Sequence, residues 1–195
     1  MVDEIINAVV PVVLQTRKDL TKMRDKVKSE LPSYWNAEYI NEKIDAKVPG
    51  MHKMLYLWLW MTGIRITEAL SVRKRDLDLP RHCATVRWLK NRKYAHRVIA
   101  LHPKLKAILE PYTASMGLDD RLFPISRQRA HQIVRNDFNG HCHQFRHSFA
   151  VHWLRSGGDV VMLSRALGHS KLEHTMVYLR IVPMDVGKEL LKVPF

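Results

Sequence analysis

HCHQFRHSFAVHWLRSGGDVVMLSRALGHSKLEHTMVYLR, residues 141–180, carries a run of helical patterns and the densest polar cluster in the chain. The pattern predicts a helix from His141, broken at Gly157-Gly158, then a shorter one with Asp159 as N-cap that stops at Gly168. Ser170 with Glu173 has the form of a capping box and predicts a last helix over Lys171–Leu179. On the first helix His143, Arg146 and His147 stand at i, i+3 and i+4, so they share one face. Three cationic or donor groups on one face suit a phosphate; the plain alternative is a set of surface and capping polar residues. His143 and His147 also have the spacing of the H-E-x-x-H zinc helix. Gln144 occupies the general-base position of that motif and no third ligand is evident, so a zinc hydrolase is an outside alternative and no metal is expected. Tyr178 follows His169 by nine residues.

Working back from this stretch, Ser126 caps a basic helix, Arg127–Phe138, whose first turn holds Arg127, Gln128 and Arg129. That turn is either a DNA contact or a solvated face. Pro103 sits at the first position of a helix over Lys104–Tyr112. Cys83–Leu89 and His96–Leu101 alternate like strands, with the basic turn Lys90-Asn91-Arg92-Lys93-Tyr94-Ala95 between them. Ile66, Ala69 and Leu70 share a face, which predicts helix over Ile64–Val72. Inside Thr62-Gly63-Ile64-Arg65-Ile66-Thr67-Glu68 an arginine follows a glycine that lets the chain turn, with Glu68 placed to fix the guanidinium. An arginine presents a planar fork that matches two phosphate oxygens. MLYLWLWMT, residues 54–62, is far short of the ~20 residues that cross a bilayer and reads as part of a buried helix over His52–Met61. Tyr34–Val48 is a further helix, with Asn36 as N-cap, Tyr39, Ile40, Ile44 and Val48 on one face, and Pro49-Gly50 as its stop. Residues 1–33 read as an amino-terminal helical arm or linker, and Val186–Val193 as a small amphipathic helix in a tail over 181–195. The class is α+β, predominantly helical with a small antiparallel β-sheet.

The 195 residues hold 32 Lys+Arg against 19 Asp+Glu, a net charge of +13, which favours a nucleic-acid partner over a membrane surface. Two cysteines, Cys83 and Cys142, make no disulfide framework, and the first residues carry acids where a secretory signal carries bases. A cytoplasmic location is expected. There is no P-loop and no acidic metal cluster of nuclease type, so neither nucleotide nor metal cofactor is expected.

The order T-G-x-R-x-x-E (62–68), a hairpin lysine, H-x-x-R-H (143–147), L-G-H (167–169) and a tyrosine nine residues on resembles the catalytic domain of the tyrosine recombinases, the phage integrase family, Xer-type enzymes included. The resemblance covers about residues 34–180. It implies that Arg65 and Arg146 clamp the phosphate, His143 and His169 are active-site histidines, and Tyr178 is the nucleophile. Glu68 would buttress Arg65, and His147 would lie behind the reacting groups. Lys90 would protonate the departing 5′-oxygen, with Lys93 in its place if the hairpin is one register longer; the remaining lysine and Arg92 would touch backbone phosphates. His143 is the expected base for Tyr178. The implied reaction is cleavage and rejoining of DNA through a covalent 3′-phosphotyrosyl intermediate, on double-stranded DNA, by a homotetramer. Most relatives carry a core-binding domain ahead of the catalytic one, so an accessory DNA-binding protein is a candidate partner. The alternatives are an accessory protein that keeps the fold without recombining and a type IB topoisomerase-like relaxing activity.

Overall fold

The computed structural model describes residues 32–90 and 93–182, with side chains omitted for residues 88–90 and 93–94. Arg92, nearly all of the expected arm over 1–33 and the tail helix over Val186–Val193 lie outside the described residues, as do the side chains of Lys90 and Lys93. Everything described from Ser33 onward belongs to one compact unit.

Asn36 caps α1 (Ala37–Asp45) by accepting the Tyr39 amide at 2.8 Å, as its type predicts. Ile40 and Ile44 face the core, but the helix stops one turn earlier than expected and Val48 is 84 % exposed beyond it. The pattern misled because Pro49 disfavours helix at the residue before it. α2 (Met51–Thr62) is apolar on nearly every side and is correspondingly the buried centre of the unit, lying against α1, α4 (Pro103–Thr113) and α6 (Cys142–Arg155). Leu55, Tyr56, Trp58 and Leu59 are fully buried along it. Each such side chain contributes about 1.5–3 kcal/mol of burial.

The predicted helix over Ile64–Val72 is only one turn long, α3 (Ile66–Ala69), because Arg65 is extended as its N-cap. A 3₁₀ turn, Lys74–Asp76, leads to β1 (Leu77–Asp78), β2 (Cys83–Lys90) and β3 (Lys93–Ala100), an antiparallel sheet in that order. The hairpin is tighter than expected: Lys90 pairs with Lys93 in register, so only residues 91 and 92 separate the strands. Lys93, Tyr94 and Ala95, read above as turn, extend β3 by pairing with Lys90, Leu89 and Trp88.

Pro103 opens α4 at its first turn, and Ser126 caps α5 (Arg127–Phe138) by accepting the Arg129 amide at 3.1 Å. Asp159 caps α7 (Val160–Leu167) through the Met162 amide. The expected Ser170–Glu173 box is absent. α8 (Glu173–Met176) starts after Leu172 with no side-chain cap and runs straight into a 3₁₀ turn, Val177–Arg180. Within α8 Thr175 is buried, its hydroxyl engaged by His169. No helix among the described residues is long and apolar enough to cross a membrane.

Candidate active site

Four chain segments bring the expected groups together: the α2–α3 turn, the first turns of α6, the end of α7 and the 3₁₀ turn after α8. Arg146 is the anchor. Only 1 % exposed, it donates from Nη1 to the Gly63 carbonyl at 3.0 Å and from Nη2 to the Leu167 carbonyl at 2.9 Å. Both acceptors lie at helix C-termini, where unsatisfied carbonyls gather partial negative charge and hold a cation. Burial, then Arg65, lowers the Arg146 guanidinium to about 10, so it stays charged at neutral pH.

The α2 terminus depends on Gly63, whose φ of +62° closes the helix in left-handed conformation. A Cβ there would lie 2.4 Å from the Phe149 ring. Gly63→Ala is therefore expected to cost about 2–4 kcal/mol, combining left-handed strain with overpacking, read as a lowered urea midpoint. A midpoint within experimental error of the native one contradicts this.

Arg65 is the open counterpart of Arg146. Its Nη1 donates to Glu68 Oε1 at 3.1 Å and its backbone amide to Oε2 at 3.1 Å, while 39 % of its side chain stays exposed. The remaining guanidinium donors are free to meet a ligand. Glu68 is 3 % exposed and holds a second cation, Arg97 on β3, through Nη2 at 3.0 Å. Sequence reasoning missed Arg97, since nothing local marks it.

Tyr178 is 3 % exposed, and burial raises its pKa although Arg146 and Arg65 pull the other way. Its hydroxyl lies 2.8 Å from His147 Nδ1. The residue at the tyrosine is thus His147, where His143 was expected. The His143 ring stands edge-on to His147, its centroid 4.5 Å away, one turn nearer the helix start. His169 Nδ1 bonds the Thr175 hydroxyl at 2.7 Å, which fixes its ring; Thr175 carried no sequence signal.

All three rings are held neutral. Burial, then Arg146 and Arg65, pushes His143 and His169 down to about 4; burial, then His143, pushes His147 to about 3. His143 is exposed, so solvent screens part of this effect on it, and Arg146 and Arg65 act in the same direction as burial. In the unfolded chain each ring takes a proton near the ordinary value of about 6.5. The unfolded state therefore binds more protons as pH falls from about 6.5 to 4, and stability falls with it, levelling off below the folded-state values. We expect the unfolding free energy to drop by about 1–3 kcal/mol across that window, allowing for solvent screening. Urea melts at stepped pH check this, and a flat profile between pH 7 and 4 contradicts it.

Arg127 and Arg129 do not join this cluster. Arg127 lines an open groove on α5 with Gln128, His131, Gln132 and Arg135, and Arg129 donates to Gln132 Oε1 at 2.8 Å. His131 feels both Arg127 and His141, so the groove and the start of α6 share one electrostatic neighbourhood. Among the described residues no group of three or more His, Cys, Asp or Glu is placed to hold a metal ion.

Residues 36–183 match the phage integrase family. The tyrosine recombinase XerC of Chlamydia pneumoniae is 30 % identical over 180 residues, 80 % of this chain and 57 % of that protein. The chain spans about half the length of the curated relatives it matches. In fold it is similar to the crystal structure of XerA recombinase, at TM-score 0.65 and 22 % identity over 85 % of this chain and 65 % of that one. It is likewise similar to XerH site-specific recombinase bound to palindromic difH substrate in a post-cleavage complex, at TM-score 0.68 and 21 % identity over 83 % and 53 %. With the fold, the motif order and the family match in agreement, this chain belongs to the phage integrase family and carries a tyrosine recombinase catalytic domain.

Proposed function

We propose that this domain cuts and rejoins DNA strands through a covalent 3′-phosphotyrosyl bond to Tyr178. The observation that carries the reading is the Tyr178 hydroxyl, buried, 2.8 Å from a neutral imidazole and under the field of Arg146 and Arg65.

In the proposed step the scissile phosphate sits between Arg65 and Arg146, which neutralise the charge that builds on its oxygens. Tyr178 Oη attacks phosphorus, the P–O5′ bond breaks, the phenolic proton passes to His147 Nδ1, and Lys90 gives a proton to the departing 5′-oxygen. Lys93 is the alternative donor, from the facing position of the hairpin. Tyrosine at its ordinary pKa of about 10 is a weak nucleophile, so the base and the arginines must act together. A ring at about 3 is a poor base in the free protein. Burial is the main cause and Arg146 a lesser one; a bound phosphodiester offsets the Arg146 field and stabilises the imidazolium, so His147 gains basicity when DNA is bound. His143 and His169 then serve the phosphate oxygens as neutral N–H donors. The reverse attack by a 5′-hydroxyl reseals the strand, with the bond energy kept in the phosphotyrosyl link.

Double-stranded DNA is the proposed partner, supported by the +13 charge and the basic groove on α5. Exchange between two duplexes needs four cleaved strands, which four protomers with one tyrosine each would supply. An accessory DNA-binding protein remains a proposed partner for site recognition.

The test is covalent trapping on nicked duplexes tiled across the DNA that flanks the gene, so that the short cleaved fragment diffuses away. A denaturation-resistant adduct confined to one site supports the reading. An adduct at every site, with relaxation of supercoiled plasmid, points instead to a topoisomerase-like activity. Salt-sensitive binding with no adduct, both alone and with host-cell extract added to supply an accessory DNA-binding protein, overturns it in favour of an accessory role.

A further inference from the structure

The C-terminus of α7 is capped by four different donors. The Ser164 carbonyl takes the His169 amide and the Arg165 carbonyl the Gly168 amide, both at 3.0 Å. The Ala166 carbonyl takes Arg97 Nη1 at 2.6 Å and the Leu167 carbonyl takes Arg146 Nη2 at 2.9 Å. Arg97 thus reaches from β3 to the same helix end that holds Arg146, and its other terminal nitrogen grips Glu68 Oε2. Its Nε is buried without a partner, lying over Gly168, where a Cβ would come within 3.0 Å of it. An orphaned buried donor is tolerated where the rest of the group is strongly held. At 13 % exposure Arg97 is set too deep to serve as a surface charge.

We propose that Arg97 is a positioning residue for the phosphate clamp, acting through Glu68 on Arg65. The inference rests on the reading of Arg65 as a phosphate ligand. A buried carboxylate with Arg65 as its sole cation would draw that guanidinium inward. Arg97 donates to Oε2, which also accepts the Arg65 amide, so the Arg65 side chain spends one donor on Oε1 and keeps the rest for a ligand. The planar fork matters: Nη1 and Nη2 hold Ala166 and Glu68 at once, which a lysine cannot do. Arg97 also ties the strand that follows the lysine hairpin to the segment carrying His169, so three parts of the site share one guanidinium.

The probe is inorganic vanadate, a tetrahedral oxyanion, titrated into the full chain and followed by the ring-proton signals of the histidines, with adduct formation on nicked duplex measured alongside. Arg97→Gln is expected to weaken vanadate binding by about tenfold and slow adduct formation by about a hundredfold. Duplex affinity should stay within about twofold, because little of the side chain is exposed to touch a backbone phosphate. Arg97→Lys should recover only part of each loss. In an Arg65→Ala background, Arg97→Gln should cost less than about threefold more, since coupled residues are not additive. Thr113→Ala, which removes a buried hydroxyl on α4, controls for lost stability and should leave vanadate affinity unchanged. Native vanadate affinity in Arg97→Gln, full additivity with Arg65→Ala, or no vanadate binding by the native chain overturns the assignment. Arg97-dependent vanadate binding without any adduct sustains it and refutes the recombinase reading alone.

Discussion

Tyr178→Phe forms no covalent adduct with nicked duplex, while its affinity for the same DNA stays within about twofold of the native chain. The expectation is this sharp because the substitution removes one atom. Phenylalanine fills the same buried space beside Ala150, Val151, Leu163 and Leu167, so packing is retained. What is lost is the 2.8 Å bond between the hydroxyl and His147 Nδ1, which leaves one half-buried ring nitrogen without that partner. That costs about 1 kcal/mol of stability, too little to unfold a domain of this size. Trapping gels with filter binding on the same preparation separate the two effects. Residual adduct would mean that another side chain attacks phosphorus.

Arg146→Lys has the second large effect, and it shows in both rate and stability. The guanidinium is strung between the Gly63 and Leu167 carbonyls, on helices far apart in sequence, and an ammonium on a flexible stem reaches one of them. The other becomes a buried acceptor without a donor, at about 1–3 kcal/mol. Adduct formation should fall by about 10²–10³-fold, the usual loss when a preorganised donor to a developing oxyanion is removed. Single-turnover cleavage under saturating DNA, paired with urea melts, tests the pair of losses. A rate loss with no change in stability would contradict the two-carbonyl account, because the same two bonds place the charge and hold the helices.

Where one short stretch carries its own instructions, the sequence is readable. α2 was legible as a buried helix because its residues are apolar on nearly every side, and α5 because Ser126 caps a pattern that runs unbroken to Phe138. The hairpin was misjudged since charge at Lys93 and polarity at Tyr94 look like a turn, although backbone pairing with β2 is indifferent to them. Two-residue β1 is too short to show alternation. The Ser170 box failed because the His169 amide still belongs to the α7 cap and Thr175 is anchored from outside its own helix.

The site was legible in its members and less so in its geometry. His143 and His147 share a helix face, so spacing cannot rank them against Tyr178; the path of the chain after α8 does that. Arg97 lies between His96 and exposed Val98, in a run that looks solvent-facing, while its partners are 29 and 69 residues away. Tertiary partners of that kind leave no trace in local spacing.

Mass spectrometry of the trapped adduct tests the central claim most directly. After nuclease and trypsin digestion, the nucleotide is predicted on the peptide Leu172–Arg180 and bonded through its 3′-phosphate to Tyr178. A nucleotide on any other residue, or a link through a 5′-phosphate, would contradict the account.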